Sequence, residues 1–149
     1  MATARPSRKQ ARRDALFVLY QLEVTPLPVE TLLDNVKLSE GYEADEFTRR
    51  LVAGVLAQRE ELDAVLESHS RDWSLARMAP LERNVLRLAL YELRSGVTPP
   101  EVAIDEAVRL AKRYSTDEAA ALVNGILAGA LRSGPPPQAA ERGRDGEER

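Results

Sequence analysis

The stretch of sequence that decides the fold is residues 99–127, PPEVAIDEAVRLAKRYSTDEAAALVNGIL. Thr98, just before it, stands three positions from Glu101, and Ser115 stands three positions from Glu118. Both pairs have the spacing of a capping box, which opens a helix. Behind each pair, apolar residues recur every three or four positions, the period of a helix with one buried face. They are Ile104, Ala107, Val108, Ala111, Leu122, Val123, Ile126 and Leu127. The stretch therefore predicts two consecutive amphipathic helices.

The same period continues toward the N-terminus. Ser7 and Gln10 form another capping-box pair, which predicts a first helix that runs to about Glu23, before two prolines break the chain. A short second helix follows and ends near Gly41. The apolar spacing predicts a third helix over 44–70.

Pro80 suits the first turn of a fourth helix, and Gly96 suits its C-terminal cap. No segment shows sustained alternation with period two, so we predict an all-α fold of about six helices. The domain boundaries expected are a flexible basic N-terminus at 1–7, one helical domain at 8–133, and a disordered tail at 134–149. The tail is rich in Pro, Gly and charge, a composition that does not bury enough surface to order itself.

Composition excludes several classes of function. The chain has no cysteine, which rules out disulfides and thiolate metal sites and is compatible with a reducing cytoplasm. No apolar run approaches the roughly 18 residues that a membrane helix needs. We therefore expect a soluble, cytoplasmic protein with no membrane association.

Catalytic chemistry is poorly represented. His69 is the only histidine, and it continues an apolar stripe, so a packing or surface role is favoured over catalysis or metal binding. The carboxylate pairs at 105–106 and 117–118 fall in the first turns of helices, where they complement the helix dipole. Gly125 and Gly129 are expected to serve close helix packing. The sequence predicts no enzyme activity, no metal and no cofactor.

The positive charge is concentrated at the N-terminus. All 24 Asp and Glu residues lie after position 13. Five of the 21 Lys and Arg residues lie within the first thirteen positions, namely Arg5, Arg8, Lys9, Arg12 and Arg13. Their spacing places them in a stripe away from the apolar face of the first helix. Cations there oppose the helix dipole and, without acidic partners four positions before or after them, repel one another. We interpret the stripe as a binding surface, with nucleic acid favoured over a membrane surface.

Three strings give a family resemblance: ARRDALFVLYQLE at 11–23, ERNVLRLALYEL at 82–93, and the stretch 99–127. With consistent order and spacing from Arg8 to Leu131, the chain resembles the NusB family of bacterial transcription antitermination factors. The resemblance implies two three-helix bundles packed together. It also implies binding of the single-stranded boxA element of ribosomal RNA leader transcripts, jointly with the ribosomal protein NusE. Other Nus factors and RNA polymerase are then indirect partners.

The resemblance also assigns roles to individual residues. It implies RNA contacts by the basic segment and by the asparagine of VNGIL, namely Arg8, Lys9, Arg12, Arg13 and Asn124. It implies that Tyr20 and Glu82 belong to the surface for the protein partner. Each has an alternative: Tyr20 as a core tyrosine, Glu82 as a helix N-terminal carboxylate, and Asn124 as a partner for a buried backbone group.

Three positions depart from the family pattern: Leu122, Gln10 and Asp105, the last of which stands where an asparagine is usual. Leu122 stands where an aromatic residue is frequent, and leucine offers no π-face on which a base can stack. Gln10 stands where many relatives have another arginine.

Two other functions stay open: a helical adaptor whose basic helix docks an acidic protein, and a recruiting domain for an RNA-modifying enzyme. The sequence also leaves open whether the protein is a monomer or a homodimer.

Overall fold

The computed structural model describes residues 5–70 and 73–133. Within these ranges the chain forms seven α-helices and one 3₁₀ turn, and no strand, so the all-α prediction is confirmed. The tail predicted at 134–149 lies outside the described residues, as do the first four residues of the predicted N-terminal segment. None of the helices in the described ranges has the length and hydropathy of a membrane span. The chain divides into two compact units, Met1–Ala57 and Gln58–Arg149.

The first unit holds three helices: α1 (Arg8–Val24), α2 (Val29–Glu40) and α3 (Glu46–Ala57). The capping box predicted at the start of α1 is present, because the Ser7 side chain accepts from the backbone of Gln10 and the Gln10 side chain accepts from the backbone of Ser7. Gly41 ends α2 with a φ of 83°, a left-handed conformation that favours glycine. α1 packs against both α2 and α3. The buried apolar residues of α1 and α3 include Ala15, Leu16, Leu19, Leu51, Val52 and Val55.

The second unit holds α4 (Arg59–Ser68), a 3₁₀ turn (Leu75–Arg77), α5 (Pro80–Ser95), α6 (Pro100–Tyr114) and α7 (Asp117–Arg132). α5, α6 and α7 pack against one another, and α4 lies against α5 and α7. Pro80 and Gly96 begin and cap α5 as predicted. α5 is the most enclosed helix; its buried apolar residues are Val85, Leu86, Leu88, Ala89, Leu90 and Tyr91.

The helix predicted over 44–70 is wrong, and with it the count of six helices. α3 ends at Ala57 and α4 begins at Arg59, with Gln58 between them at φ −112° and ψ 15°. The apolar positions continue in phase across this break, with Val55 and Leu62 seven residues apart, so periodicity alone does not reveal it. The overlooked signal is the acidic pair 60–61, which suits the first turn of a new helix. The second unit consequently has four helices, not three.

The capping boxes predicted at Thr98 and Ser115 are also wrong. α6 begins after Pro99 with no side-chain cap, and the Thr98 hydroxyl donates to Oε1 of Glu92 at 2.5 Å. At α7 the cap is Thr116, whose hydroxyl accepts from the backbone of Ala119. The Ser115 hydroxyl donates to Glu82. In both cases, therefore, a carboxylate of α5 accepts the hydrogen bond: Glu92 from Thr98 and Glu82 from Ser115. A charge-assisted hydrogen bond to another helix has replaced the local one.

His69 packs against α7. A methyl group at Gly129 would lie 3.2 Å from its Nδ1, and its Nε2 lies 3.2 Å from the hydroxyl of Ser133. Gly125 faces open space, so close helix packing holds at Gly129 and not at Gly125.

A buried ion pair joins α4 to α5. Nε of Arg87 donates to Oδ1 of Asp63 at 2.7 Å, and Nη2 donates to Oδ2 at 2.9 Å. The Arg87 side chain is 5% exposed and that of Asp63 is 28% exposed. The two parallel bonds fix both distance and orientation, as bidentate arginine–carboxylate pairs do.

Candidate nucleic-acid interface

The cations of α1 do not form one exposed stripe. Arg5, Arg8 and Lys9 are exposed, Arg13 is partly exposed, and Arg12 is buried, with 4% of its surface accessible. The predicted stripe is therefore wrong at Arg12, although Arg8 and Arg12 lie one helical turn apart on the same face. α3 packs against α1 and carries Phe47, over which both guanidinium groups lie.

Phe47 lies beneath both arginines of this face. The Cζ of Arg8 is 3.9 Å from the centre of the Phe47 ring, and the Cζ of Arg12 is 5.5 Å from it. A guanidinium over an aromatic face is attracted by the ring quadrupole, typically by about 0.5–1 kcal/mol at exposed sites. The ring itself is 6% exposed. Arg8 thus rests on a buried aromatic side chain while it remains open to solvent.

Two polar contacts set the position of Phe47. At the start of α3, the backbone N–H of Phe47 donates to Oδ2 of Asp45 at 3.0 Å. The buried hydroxyl of Thr48 donates to the backbone carbonyl of Ala11 at 2.9 Å and so ties α3 to α1. Because these contacts bracket Phe47 along α3, the ring is fixed relative to the first turns of α1.

Arg13 belongs to a different cluster. Its Nη2 donates to Oδ1 of Asp14 at 3.1 Å, to Glu40 at 2.9 Å and to the Tyr42 hydroxyl at 3.1 Å. Burial opposes its charge, but the hydrogen bond and the nearby carboxylates outweigh burial and raise the pKa of Arg13. Arg13 therefore balances a buried acid, and its acidic partners are the adjacent Asp14 and the distant Glu40, neither of which is four positions away along α1.

An acidic segment, residues 40–46, runs from the last residue of α2 to the first residue of α3. Its acidic residues are Glu40, Glu43, Asp45 and Glu46. Glu40 pairs with Arg13, and Oδ1 of Asp45 lies 3.2 Å from Nη2 of Arg5. Arg8 lies over a ring and makes no ion pair with any residue that the structure describes. The segment therefore pairs with Arg5 and Arg13, the two ends of the basic sequence, and makes no such pair with Arg8.

Asp14 and Tyr42 give this cluster a pH dependence. Burial raises the pKa of Asp14 despite its bonds from Tyr42 and Arg13. Burial, followed by the hydrogen bond that its hydroxyl donates to Asp14 at 2.8 Å, raises the pKa of Tyr42 to about 12. In the unfolded chain a tyrosine has a pKa near 10, which is about two pH units below the pKa of Tyr42 in the folded protein.

The folded state therefore holds the Tyr42 proton more tightly than the unfolded state, and its contribution to stability is lost as the pH rises from about 10 through about 12. We expect the free energy of unfolding of the Tyr42→Phe variant to fall less steeply than that of the unaltered protein over this range. Urea titrations at a series of pH values measure the two slopes. Equal slopes would contradict the assignment.

The residues predicted in the second unit lie at its surface. Asn124, on α7, is exposed, so the alternative of a partner for a buried backbone group does not apply. Leu122 is partly exposed. Glu82 lies in the first turn of α5, and its Oε2 accepts from the Ser115 hydroxyl at 2.6 Å.

Tyr20, the other residue predicted for the partner surface, is in the first unit. It lies on α1, three turns from Lys9, and is partly exposed. A fully buried core position is therefore excluded. Among the described residues, no group of three or more His, Asp or Glu side chains is arranged to hold a metal ion.

Comparison with known proteins identifies the family. The family model described as NusB family matches residues 9–132, nearly all of the described chain. The chain belongs to the NusB family. The transcription antitermination protein NusB of Rubrobacter xylanophilus is 47% identical over 125 residues, which span 83% of this chain and 89% of that protein.

Solved NusB structures share the fold. NusB from T. maritima is 34% identical with a TM-score of 0.80, and the match covers 93% of this chain and 99% of that one. A second match is a crystal structure of the antitermination factors NusB and NusE in complex with double-stranded RNA. It is 29% identical with a TM-score of 0.77 and covers 85% of this chain and 97% of that one.

Proposed function

We propose that this protein is a transcription antitermination factor that binds the boxA element of ribosomal RNA leader transcripts together with NusE. The observation that carries the proposal is the likeness to a NusB chain solved with NusE and RNA. The exposed cations at the start of α1 give the physical reason, because Lys and Arg neutralise phosphates. The role is one of binding and not of catalysis. Its proposed place is the cytoplasm, where bacterial RNA polymerase transcribes the leader.

Within the basic segment we assign direct contact to Arg8 and Lys9. Both are exposed in the first turn of α1. Arg12 and Arg13 support the same surface, Arg12 from beside Phe47 and Arg13 from the acidic cluster. Asn124 is proposed as an additional RNA contact on α7, because its exposed amide can both donate and accept hydrogen bonds to unpaired bases.

For NusE we propose two contact residues, Tyr20 in the first unit and Glu82 in the second. The partly exposed phenol of Tyr20 offers apolar area with a polar tip, which suits a protein interface. The carboxylate of Glu82 is held by Ser115 and is partly exposed, so it can accept from a cationic partner side chain. Other Nus factors and RNA polymerase are reached through this complex.

Fluorescence anisotropy tests the proposal, with labelled single-stranded boxA RNA and a scrambled RNA of the same composition, each with and without NusE. We expect NusE to tighten binding of boxA RNA and to leave the scrambled RNA much weaker. Equal affinity for the two RNAs in the presence of NusE would contradict a specific antitermination role. Recruitment to an RNA-modifying enzyme would then be the remaining RNA-binding function. No RNA binding at all would leave a protein adaptor.

A further inference from the structure

We propose that Phe47 is a positioning residue for RNA binding. It holds the guanidinium of Arg8 with one face on the aromatic ring, so that the opposite face offers a flat surface on which an unpaired RNA base stacks. The inference rests on the proposed function and adds to it a residue of α3 that is not part of the basic segment.

The distances support a fixed arginine. Arg8 is exposed, yet its Cζ lies 3.9 Å from the ring centre of Phe47, which is van der Waals contact. An arginine in the first turn of a helix ordinarily has several rotamers in water, and ordering it on binding costs entropy. Contact with the ring reduces that cost because the guanidinium already has a place.

The ring is itself held in place. Phe47 is 6% exposed, Asp45 accepts from its backbone N–H, and the neighbouring Thr48 bonds to the carbonyl of Ala11. Arg12 lies over the same ring at 5.5 Å and is buried. In the stack of Arg8 on Phe47, the ring is therefore held by the protein, while Arg8 is exposed to solvent.

The chemistry favours a base as the group that Arg8 meets. Guanidinium is planar and weakly hydrated and stacks on flat π-systems, whereas an ammonium is a compact, strongly hydrated charge. Proteins that read single-stranded RNA stack unpaired bases on aromatic rings or on arginine planes. A phosphate alone would require only the charge, so the two possibilities separate when the charge is kept and the plane is removed.

Arg8→Lys makes this separation, and Phe47→Leu removes the ring while keeping an apolar side chain. With boxA RNA and NusE, we expect each variant to lose about fivefold in affinity, since cation–π and stacking contributions are of that size. The slope of affinity against salt should stay unchanged, because no phosphate contact is lost. The double variant should lose little more than either single one, because both remove the same stack.

Two controls make the result specific. Val55→Ala, a buried change on the same helix, lowers stability without touching the ring and should leave RNA affinity unchanged. An RNA series with one base removed at a time should contain one position at which the unaltered protein and Arg8→Lys bind equally.

Each outcome bears on the inference. Wild-type affinity in Arg8→Lys, an exposed change that leaves the core intact, would overturn the stacking role whatever Phe47→Leu does. Additive losses in the double variant would overturn the link between Phe47 and Arg8. If the unaltered protein with NusE bound no RNA, the proposed function itself would fall and the inference with it. If RNA binding stands and these variants match the unaltered protein, the inference alone fails.

Discussion

Replacing Arg87 with alanine is expected to lower the free energy of unfolding by about 3 kcal/mol, the low end of the range for breaking a buried ion pair. Arg87 is 5% exposed and bonds Asp63 through two atoms, so its loss leaves a carboxylate with no cation on the face of α4 that meets α5. Partial exposure of Asp63 lets water return to it, which keeps the effect at that end of the range. Small domains are stable by about 5–15 kcal/mol, so this is a large fraction.

Urea unfolding followed by far-UV circular dichroism measures the change. Lys37→Ala is the control, because Lys37 and its partner Glu43 are 65% and 71% exposed. Surface pairs of this kind contribute about 0–1 kcal/mol. If Arg87→Ala were no more destabilised than Lys37→Ala, the pair would not hold α4 on α5.

Joint replacement of Arg8 and Lys9 with alanine is expected to weaken boxA binding by about 30-fold at moderate salt, from two phosphate contacts and the base stack. The slope of log affinity against log salt should become shallower by about 1.4, or 0.7 for each contact on a single strand. Both side chains are exposed, so the melting temperature should stay within about 2 °C, as for most surface changes. Anisotropy over a salt series and thermal melting measure the two effects.

Arg13→Ala is the control from the same helix. It removes one positive charge, but from the cluster with Asp14 and Glu40. We therefore expect a larger loss in the free energy of unfolding than in the free energy of RNA binding. Retention of full RNA affinity by the Arg8 and Lys9 double variant would show that the RNA surface lies elsewhere.

Helix ends with a local cause could be predicted from the sequence. The capping box at Ser7, the proline at 80 and the glycines at 41 and 96 act through their own backbone, and each lies where the pattern indicated. The caps at Thr98 and Ser115 could not be predicted, because carboxylates of α5 compete for those hydroxyls. The break at Gln58 was hidden because the apolar positions on either side stay in phase.

In the candidate site, too, some features could be predicted from the sequence and others depend on the packing of helices. Charge density identified the basic segment, and the exposure of Arg8 and Lys9 agrees with it. The burial of Arg12 depends on where α3 crosses α1, which no pattern within α1 reports. Phe47 lies 39 positions from Arg8 along the chain, so its role follows only from the packing of the two helices. The pairing of the acidic segment at 40–46 with Arg5 and Arg13 depends on the fold, because the paired residues lie 40 and 27 positions apart along the chain.

The central claim is that RNA binds at the first two turns of α1, and an NMR titration of ¹⁵N-labelled protein with boxA RNA tests it most directly. We predict that the backbone amides of residues 8–13 and of Phe47 shift or broaden as RNA is added, while those of the middle of α2 do not. The Arg8→Lys variant should show a weaker response at the Phe47 amide. Amides of residues 8–13 that remain unperturbed at RNA saturation would contradict the claim.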